Sequence, residues 1–332
     1  MNRDRARAWG ATIVGVGLFS ALASCRDDAG TVAPFVVPHV YDLNVDAAAG
    51  IAEVDPARGL VVTAEQLRNL VDQQLAWHGV TLVEVMRAAR VGRGDVQVWI
   101  DQLTQNTTDL TNTIGLAYGP TAARAFNQQW AQHTQFLVDY ALAVGQHDAD
   151  AARKAARALA DYAHDSGHFF FTATAGGLPA AAVEDLLTTH VGHMVSMIDA
   201  DQAGDRASTV GSAVADSSYL STIANGLSTA IATQNPSWFP GPTDTPLAAL
   251  CSIVASGTSA YLSSLLITGD PASSAVLNAD RVLVDATGAS TAAVIGLDPG
   301  FGGADSAARA IDAKAALTAA NEYVLAHPPV IP

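Results

Sequence analysis

Cysteine and glutamate are scarce in this chain of 332 residues. Its two cysteines, Cys25 and Cys251, cannot build a disulfide-rich fold. Only five glutamates occur and none has histidine three residues on, which excludes the Glu-x-x-His pairs of a ferritin-like di-iron centre. His-Glu-x-x-His, Gly-x-Ser-x-Gly and Gly-rich phosphate-binding signatures are also missing. The sequence therefore carries no motif of the common metalloproteases, serine hydrolases or nucleotide-binding enzymes.

Basic residues are also few. Seventeen Lys and Arg stand against 32 Asp and Glu, which gives a formal net charge of −15. A surface this acidic repels nucleic acid and anionic lipid headgroups. The partners that it suits are cations, small molecules and other proteins.

The N-terminus has the order of an export signal. Three arginines, at positions 3, 5 and 7, precede an uncharged stretch that ends in Leu22-Ala23-Ser24-Cys25, and this ending resembles a bacterial lipobox. We expect residues 1–24 to be a lipoprotein signal peptide and Cys25 to carry the lipid, palmitate included, that anchors the mature protein at the extracytoplasmic face of the cell membrane. An ordinary cleaved signal or an uncleaved anchor is the alternative.

Residues 25–60 show no sustained hydrophobic period and contain Pro34, Pro38 and an Ala/Asp stretch. This composition predicts a flexible tether between the membrane and the folded part. With Cys25 lipidated, Cys251 has no disulfide partner and is most simply a small buried residue.

One short sequence pattern of helical type recurs three times in the rest of the chain. Each copy is seven residues long and ends in a histidine, which is His78, His133 or His190, and the histidines are 55 and 57 residues apart. A recurrence of this length is typical of a duplicated supersecondary unit. Loop signals such as Gly94-Asp95 and Gly204-Asp205 fall between apolar stretches of helical period.

These signals predict four helical hairpins, at about 62–118, 120–176, 179–234 and 245–296, and one last helix to about 326. The expected fold is all-α, an antiparallel helical bundle of about nine helices built from repeated hairpins. An α-hairpin solenoid is the alternative. We assign residues 62–234 to a three-hairpin bundle and 245–326 to a C-terminal hairpin with its last helix.

The segment from Asn106 to His133 carries a resemblance. Asn106-Thr-Thr-Asp109, Ile114, Tyr118-Gly119, Ala122-Ala123 and His133 resemble a family of exported, lipid-anchored, all-helical bacterial proteins, and the similarity extends loosely from Leu67 to Trp238. The resemblance implies a helical fold and carries no activity with it.

The three repeated histidines face inward. Residues at −7, −3, +4 and +7 from each of them are apolar, so each histidine shares the buried stripe of its helix. A buried imidazole needs hydrogen-bond partners or a metal. Asn106, Asp109 and Asn225 are the expected partners if the histidines are structural.

A metal site is the second interpretation. The candidate ligands, at one-turn spacings along the helices, are His78, His133, His164, His168, His190, His193 and Met197. Imidazole with thioether suits copper, whereas imidazole alone suits zinc. A haem or flat ligand held with Trp77, Trp130, Tyr140 and Phe169–Phe171 is the third.

We therefore expect a membrane-anchored, non-enzymatic helical lipoprotein that binds copper, zinc or a small ligand through core histidines. The alternative is a protein-interaction or structural module of the cell envelope whose histidines only hold the bundle together. An enzyme that uses a histidine with Asp109 or Asp165 as acid and base is a third hypothesis, for which no nucleophile or cofactor motif is found.

Overall fold

A computed structural model describes residues 62–269, and these form an all-helical bundle. The predicted lipobox, the tether and the helices expected beyond residue 269 lie outside the described residues. The six helices are α1 (Ala64–Val91), α2 (Val96–Gly145), α3 (Ala149–Ala173), α4 (Ala180–Ala203), α5 (Arg206–Gln234) and α6 (Pro246–Thr268). Within residues 62–269 there is no β-strand.

The ends of α1 follow from local sequence. Thr63 and Gln66 form a capping box, in which each side chain accepts a hydrogen bond from the other residue's main-chain N–H. This confirms the predicted start of the first helix. Gly92 ends the helix in the left-handed conformation, with φ 65°. Gly204 ends α4 in the same way, with φ 73°.

Helix α2 is bent back on itself at Gly119 and Pro120. Gly119 has φ 78° and ψ 177°, outside the helical region, and Pro120 has no N–H to continue the ladder. Residue 106, before the kink, bonds to Gln74 of α1, and residue 133, after it, contacts His78. A straight helix would separate residues 106 and 133 by about 40 Å. The two arms of α2, residues 96–118 and 120–145, therefore both lie against the same part of α1.

The remaining helices pack mainly with their neighbours along the chain, while α1 contacts α2, α4, α5 and α6. Its inner face contributes Leu67, Val71 and Leu75 to the main apolar core. The connections from α1 to α5 are short, as expected for antiparallel neighbours, whereas residues 235–245 form a longer connection between α5 and α6. The core histidines are therefore held by packing on every side.

Helix α6 closes the bundle against α1 and α5. Ser252 donates to the buried carboxylate of Asp72 on α1, and Ser259 shares a hydrogen bond with Ser217 on α5. Its segment Cys251–Thr268 is, among the described residues, the one stretch long and apolar enough to cross a membrane by length and composition. Half of that segment is buried in the bundle, as it would be in the core helix of a soluble domain.

The structure confirms an all-α fold arranged as a helical bundle. The expected count of about nine helices covers the whole chain, and the described part contains six. Within residues 96–145, the non-helical Gly119 separates the two arms of α2 at the position where two helices were expected to meet.

Candidate metal centre

Three histidines from three helix segments meet in the middle of the bundle. His78 lies on α1, His133 on the second arm of α2 and His190 on α4, and their exposed fractions are 0%, 1% and 2%. One ligand nitrogen from each lies within 4.8 Å of the other two. The Nε2 atoms of His78 and His133 are 3.4 Å apart. The prediction that these histidines point inward is confirmed, and the fold brings them together.

One of the three imidazoles has a carboxylate partner. His190 Nδ1 lies 2.7 Å from Asp216 Oδ1. In a neutral His190 this acceptor favours the tautomer with its proton on Nδ1, which leaves a lone pair on Nε2. The Nδ1 atoms of His78 and His133 have no hydrogen-bond partner among the described residues, so no acceptor fixes the tautomers of these two rings.

The Nε2 atoms of the cluster have few protein partners among the described residues. His190 Nε2 is buried without a hydrogen bond, and the Nε2 atoms of His78 and His133 lie 3.4 Å apart. Either an N–H···N hydrogen bond or a cation bound by both nitrogens accounts for that separation. Asp216 behind His190 has the arrangement of a carboxylate–histidine–metal triad, in which the carboxylate fixes the tautomer and raises the basicity of the ligand nitrogen.

The electrostatics keep two of the imidazoles neutral, the form in which histidine binds a metal. Burial, with a further contribution from His190, lowers the pKa of His78 to about 3. Burial, reinforced by His78 and His190, lowers the pKa of His133 well below its usual value. Burial alone would raise the pKa of Asp216, but His190 and His193 hold it below its usual value. At neutral pH the cluster thus has neutral imidazoles at His78 and His133 and an ionised carboxylate at Asp216.

The distances suit a first-row transition metal. Two nitrogens bound at 2.0–2.1 Å with a tetrahedral angle lie about 3.4 Å apart, which matches the separation of His78 and His133. Three atoms no more than 4.8 Å apart share a point about 2.8 Å or less from each, since 4.8/√3 is about 2.8. Closing the remaining gap to a zinc–nitrogen bond needs shifts below about 1 Å.

Aromatic rings enclose the imidazoles. The Trp130 indole lies 4.9 Å from the His78 ring and 4.5 Å from the His133 ring, measured between centroids. Tyr162 stacks on His133 at 5.0 Å with an interplanar angle of 20°. These contacts fix the ring orientations and exclude water from the three nitrogens.

The other predicted ligands lie elsewhere. His164 and His168 are exposed on α3, where His164 contacts Glu184 at 3.1 Å, so they do not belong to this cluster. His193 is partly exposed and lies 3.5 Å from Asp216, behind His190. Met197 is fully buried but begins about 10 Å along the helix from His190, at 1.5 Å per residue.

Two of the expected hydrogen-bond partners are wrong and one was missed. Asn106 does face His78, whereas Asp109 and Asn225 are exposed, because they lie on the outer faces of their helices. Asp165 is exposed as well. The missed residue is Asp216, which is 1% exposed. Asp216 lies 12 residues after Gly204 and His190 lies 14 residues before it, so the two face each other roughly across the loop between α4 and α5.

No protein-family model matches this chain, and no similar chain was found among the curated proteins or the solved structures.

Proposed function

We propose that this protein binds one transition-metal ion through the Nε2 atoms of His78, His133 and His190, with zinc as the preferred ion. The observation that carries the proposal is the convergence of three buried imidazoles, one of which has a buried carboxylate behind it. A purely structural role would give these nitrogens hydrogen-bond partners, and His190 Nε2 has none among the described residues.

The ligand set supports zinc ahead of copper. Three imidazoles with an open fourth position are a common catalytic zinc arrangement, and Zn²⁺ accepts this geometry without a thiolate. Copper gains most from a sulfur ligand. The predicted ligand Met197 is two helical turns from His190 and too far to share the ion, whereas the fully buried Met194 is one turn away, so copper is the competing ion in the uptake experiment. Magnesium and calcium require oxygen ligands.

The proposal includes the architecture and the location. We take residues 62–234 as three copies of one hairpin, each with its histidine on the first helix. The helix bounds on either side of Gly92, Gly119 and Gly204 support this repeat. Cys25 is the proposed site of lipidation, which would hold the metal centre outside the cytoplasmic membrane as a non-enzymatic binding protein.

Equilibrium dialysis of the purified full chain against zinc and copper, followed by metal analysis, tests this function. We expect one zinc per chain, loss of that zinc in His133→Gln and full retention in the matched control His168→Gln, because His168 is exposed and outside the cluster. Absence of stoichiometric uptake in the wild-type protein would contradict the proposal. It would instead favour an envelope interaction module with structural histidines.

A further inference from the structure

Four segments of the chain meet at one end of the helical bundle. The Tyr118 hydroxyl, at the bend of α2, donates to the Gln234 side chain at the end of α5, and Gln234 donates to the Ala173 carbonyl at the end of α3. The Ala64 N–H, at the start of α1, donates to the Pro240 carbonyl in the connection before α6. We call this the entry end, because the described chain begins there, and define it by residues 62–64, 118–121, 171–180 and 235–243.

The segments of the entry end contain no ionised side chain. Most of this end comes from three stretches without Asp, Glu, Lys or Arg, which continue into the adjoining helices: residues 110–123, 169–183 and 217–243. Charges close to it have partners, since Arg68 pairs with Asp244 and Glu65 accepts a hydrogen bond from Thr245. Contact of the four segments with an apolar medium therefore strips water from no charged group of their own.

The opposite end of the bundle is charged. Arg90 on α1 forms an ion pair with Asp201 on α4 at 2.8 Å, and Arg93 pairs with Asp95 between α1 and α2. The Asp205 carboxylate caps the start of α5. Burying this end in an apolar medium would cost the hydration of these groups. The two ends of the bundle are therefore suited to different surroundings.

Exposed aromatic side chains mark the entry end. Trp238, in the connection before α6, and Phe171, in the last turn of α3, are each 47% exposed. At the charged end the exposed large apolar side chains of the described chain are the aliphatic Val91 and Val98. Tryptophan is enriched at membrane–water interfaces, where the ring contacts apolar chains and its N–H stays at the level of the headgroups. The entry end thus has the composition of a surface that contacts a bilayer.

The course of the chain agrees with this assignment. Residues 26–61 join the proposed lipid at Cys25 to the entry end, so the chain runs from the membrane into the uncharged end of the bundle. A tether makes contact between the bundle and the bilayer an intramolecular event, so a weak surface attraction is sufficient to orient the bundle.

We infer that the entry end rests on the lipid bilayer, with Trp238 and Phe171 in the interfacial layer and the charged end turned toward water. The partner is a zwitterionic phospholipid surface, because the net charge of −15 is repelled by anionic headgroups. This inference draws on the proposed lipidation of Cys25 and is independent of the metal site.

Quenching of tryptophan fluorescence by brominated lipid tests the contact. The purified full chain is reconstituted in vesicles of phosphatidylcholine that carries bromine on its acyl chains close to the headgroup. We expect the fluorescence lost to bromine to fall in Trp238→Phe. It should stay at the wild-type level in the matched control Trp99→Phe, because Trp99 bonds to Asp95 at the charged end.

A second pair of variants tests the surface around Trp238. Phe171→Glu adds a charge to the entry end and should lower the quenching of Trp238, because contact with lipid would then dehydrate a carboxylate. Val98→Glu is its matched control, since Val98 is 60% exposed at the charged end, and it should leave the quenching unchanged. Equal quenching in these two variants would overturn the role given to the uncharged surface.

Mass spectrometry of Cys25 separates the membrane contact from the lipid anchor. Equal quenching of the wild-type and Trp238→Phe proteins overturns the contact, and lipid found on Cys25 in the same sample leaves the anchor standing. Quenching that Trp238→Phe removes, in protein without lipid on Cys25, overturns the anchor and supports the contact. Quenching lost in Trp99→Phe instead would show that the charged end faces the bilayer, which contradicts the inference.

Discussion

Replacing Asp216 with asparagine tests whether this carboxylate supports the metal. Asp216 is buried on α5, with Oδ1 2.7 Å from His190 Nδ1, and its Oδ2 has no hydrogen-bond partner. Asparagine keeps the size and can still accept from His190, but it removes the negative charge. Loss of such a group behind a ligand histidine weakens metal affinity by about 10- to 100-fold, which is about 1.4–2.7 kcal/mol. We expect that loss for Asp216→Asn.

Competition with a chromophoric zinc chelator at pH 7 measures the effect. The matched control is Asp72→Asn, since Asp72 is also buried but bonds to Ser252 and Arg68, away from the histidines. We expect its zinc affinity to stay within about threefold of the wild-type value, because charge effects on the metal weaken with distance. Equal zinc affinities for Asp216→Asn and the wild-type protein would refute the role given to Asp216.

Three further predictions concern stability. Because the pKa of His78 is lowered to about 3 and that of His133 is also lowered, the unfolded chain binds protons that the metal-free fold does not. The contribution of these histidines to the free energy of unfolding should be complete above about pH 6.5 and fall by about 1.4 kcal/mol per pH unit per histidine toward pH 3. Urea unfolding at a series of pH values measures this dependence. An equally steep fall in His78→Gln would contradict the prediction. Gly167→Ala should destabilise the fold, since the added Cβ would lie 2.5 Å from the Ala180 carbonyl oxygen. Gly211→Ala, with open space around the added Cβ, should stabilise the fold by about 0.5–1 kcal/mol. Equal melting temperatures for the two variants would contradict the close approach of α3 to Ala180. Glu84→Gln should cost about 2 kcal/mol, because Glu84 is 1% exposed and bonds to Arg87 and Arg93 at 2.6 Å each; a denaturation midpoint equal to that of the wild-type protein would show that this network contributes nothing.

Much of the fold could be predicted because its signals are local. The capping box at Thr63 and the inward stripe around each histidine depend on residues within one or two helical turns. The turn after α1 could be predicted for the same reason, since the loop signal Gly94-Asp95 lies between α1 and α2.

The site was harder to predict because it depends on how segments meet. Periodicity placed His78, His133 and His190 on buried faces, and one-turn spacing then added His164, His168 and His193 as further candidate ligands. Which ones converge depends on the fold-back at Gly119, which brings the second arm of α2 beside α1. Asp216 was missed for the same reason, since its partner His190 lies across a loop, 26 residues away.

X-ray absorption spectroscopy of the zinc-loaded protein tests the central claim most directly. The claim is that three imidazole nitrogens share one metal ion. We predict a first shell with three nitrogen ligands from imidazole at about 2.0 Å, reduced to two in His133→Gln and unchanged in His168→Gln. A shell dominated by carboxylate oxygen or sulfur, or one unaffected by His133→Gln, would contradict the account.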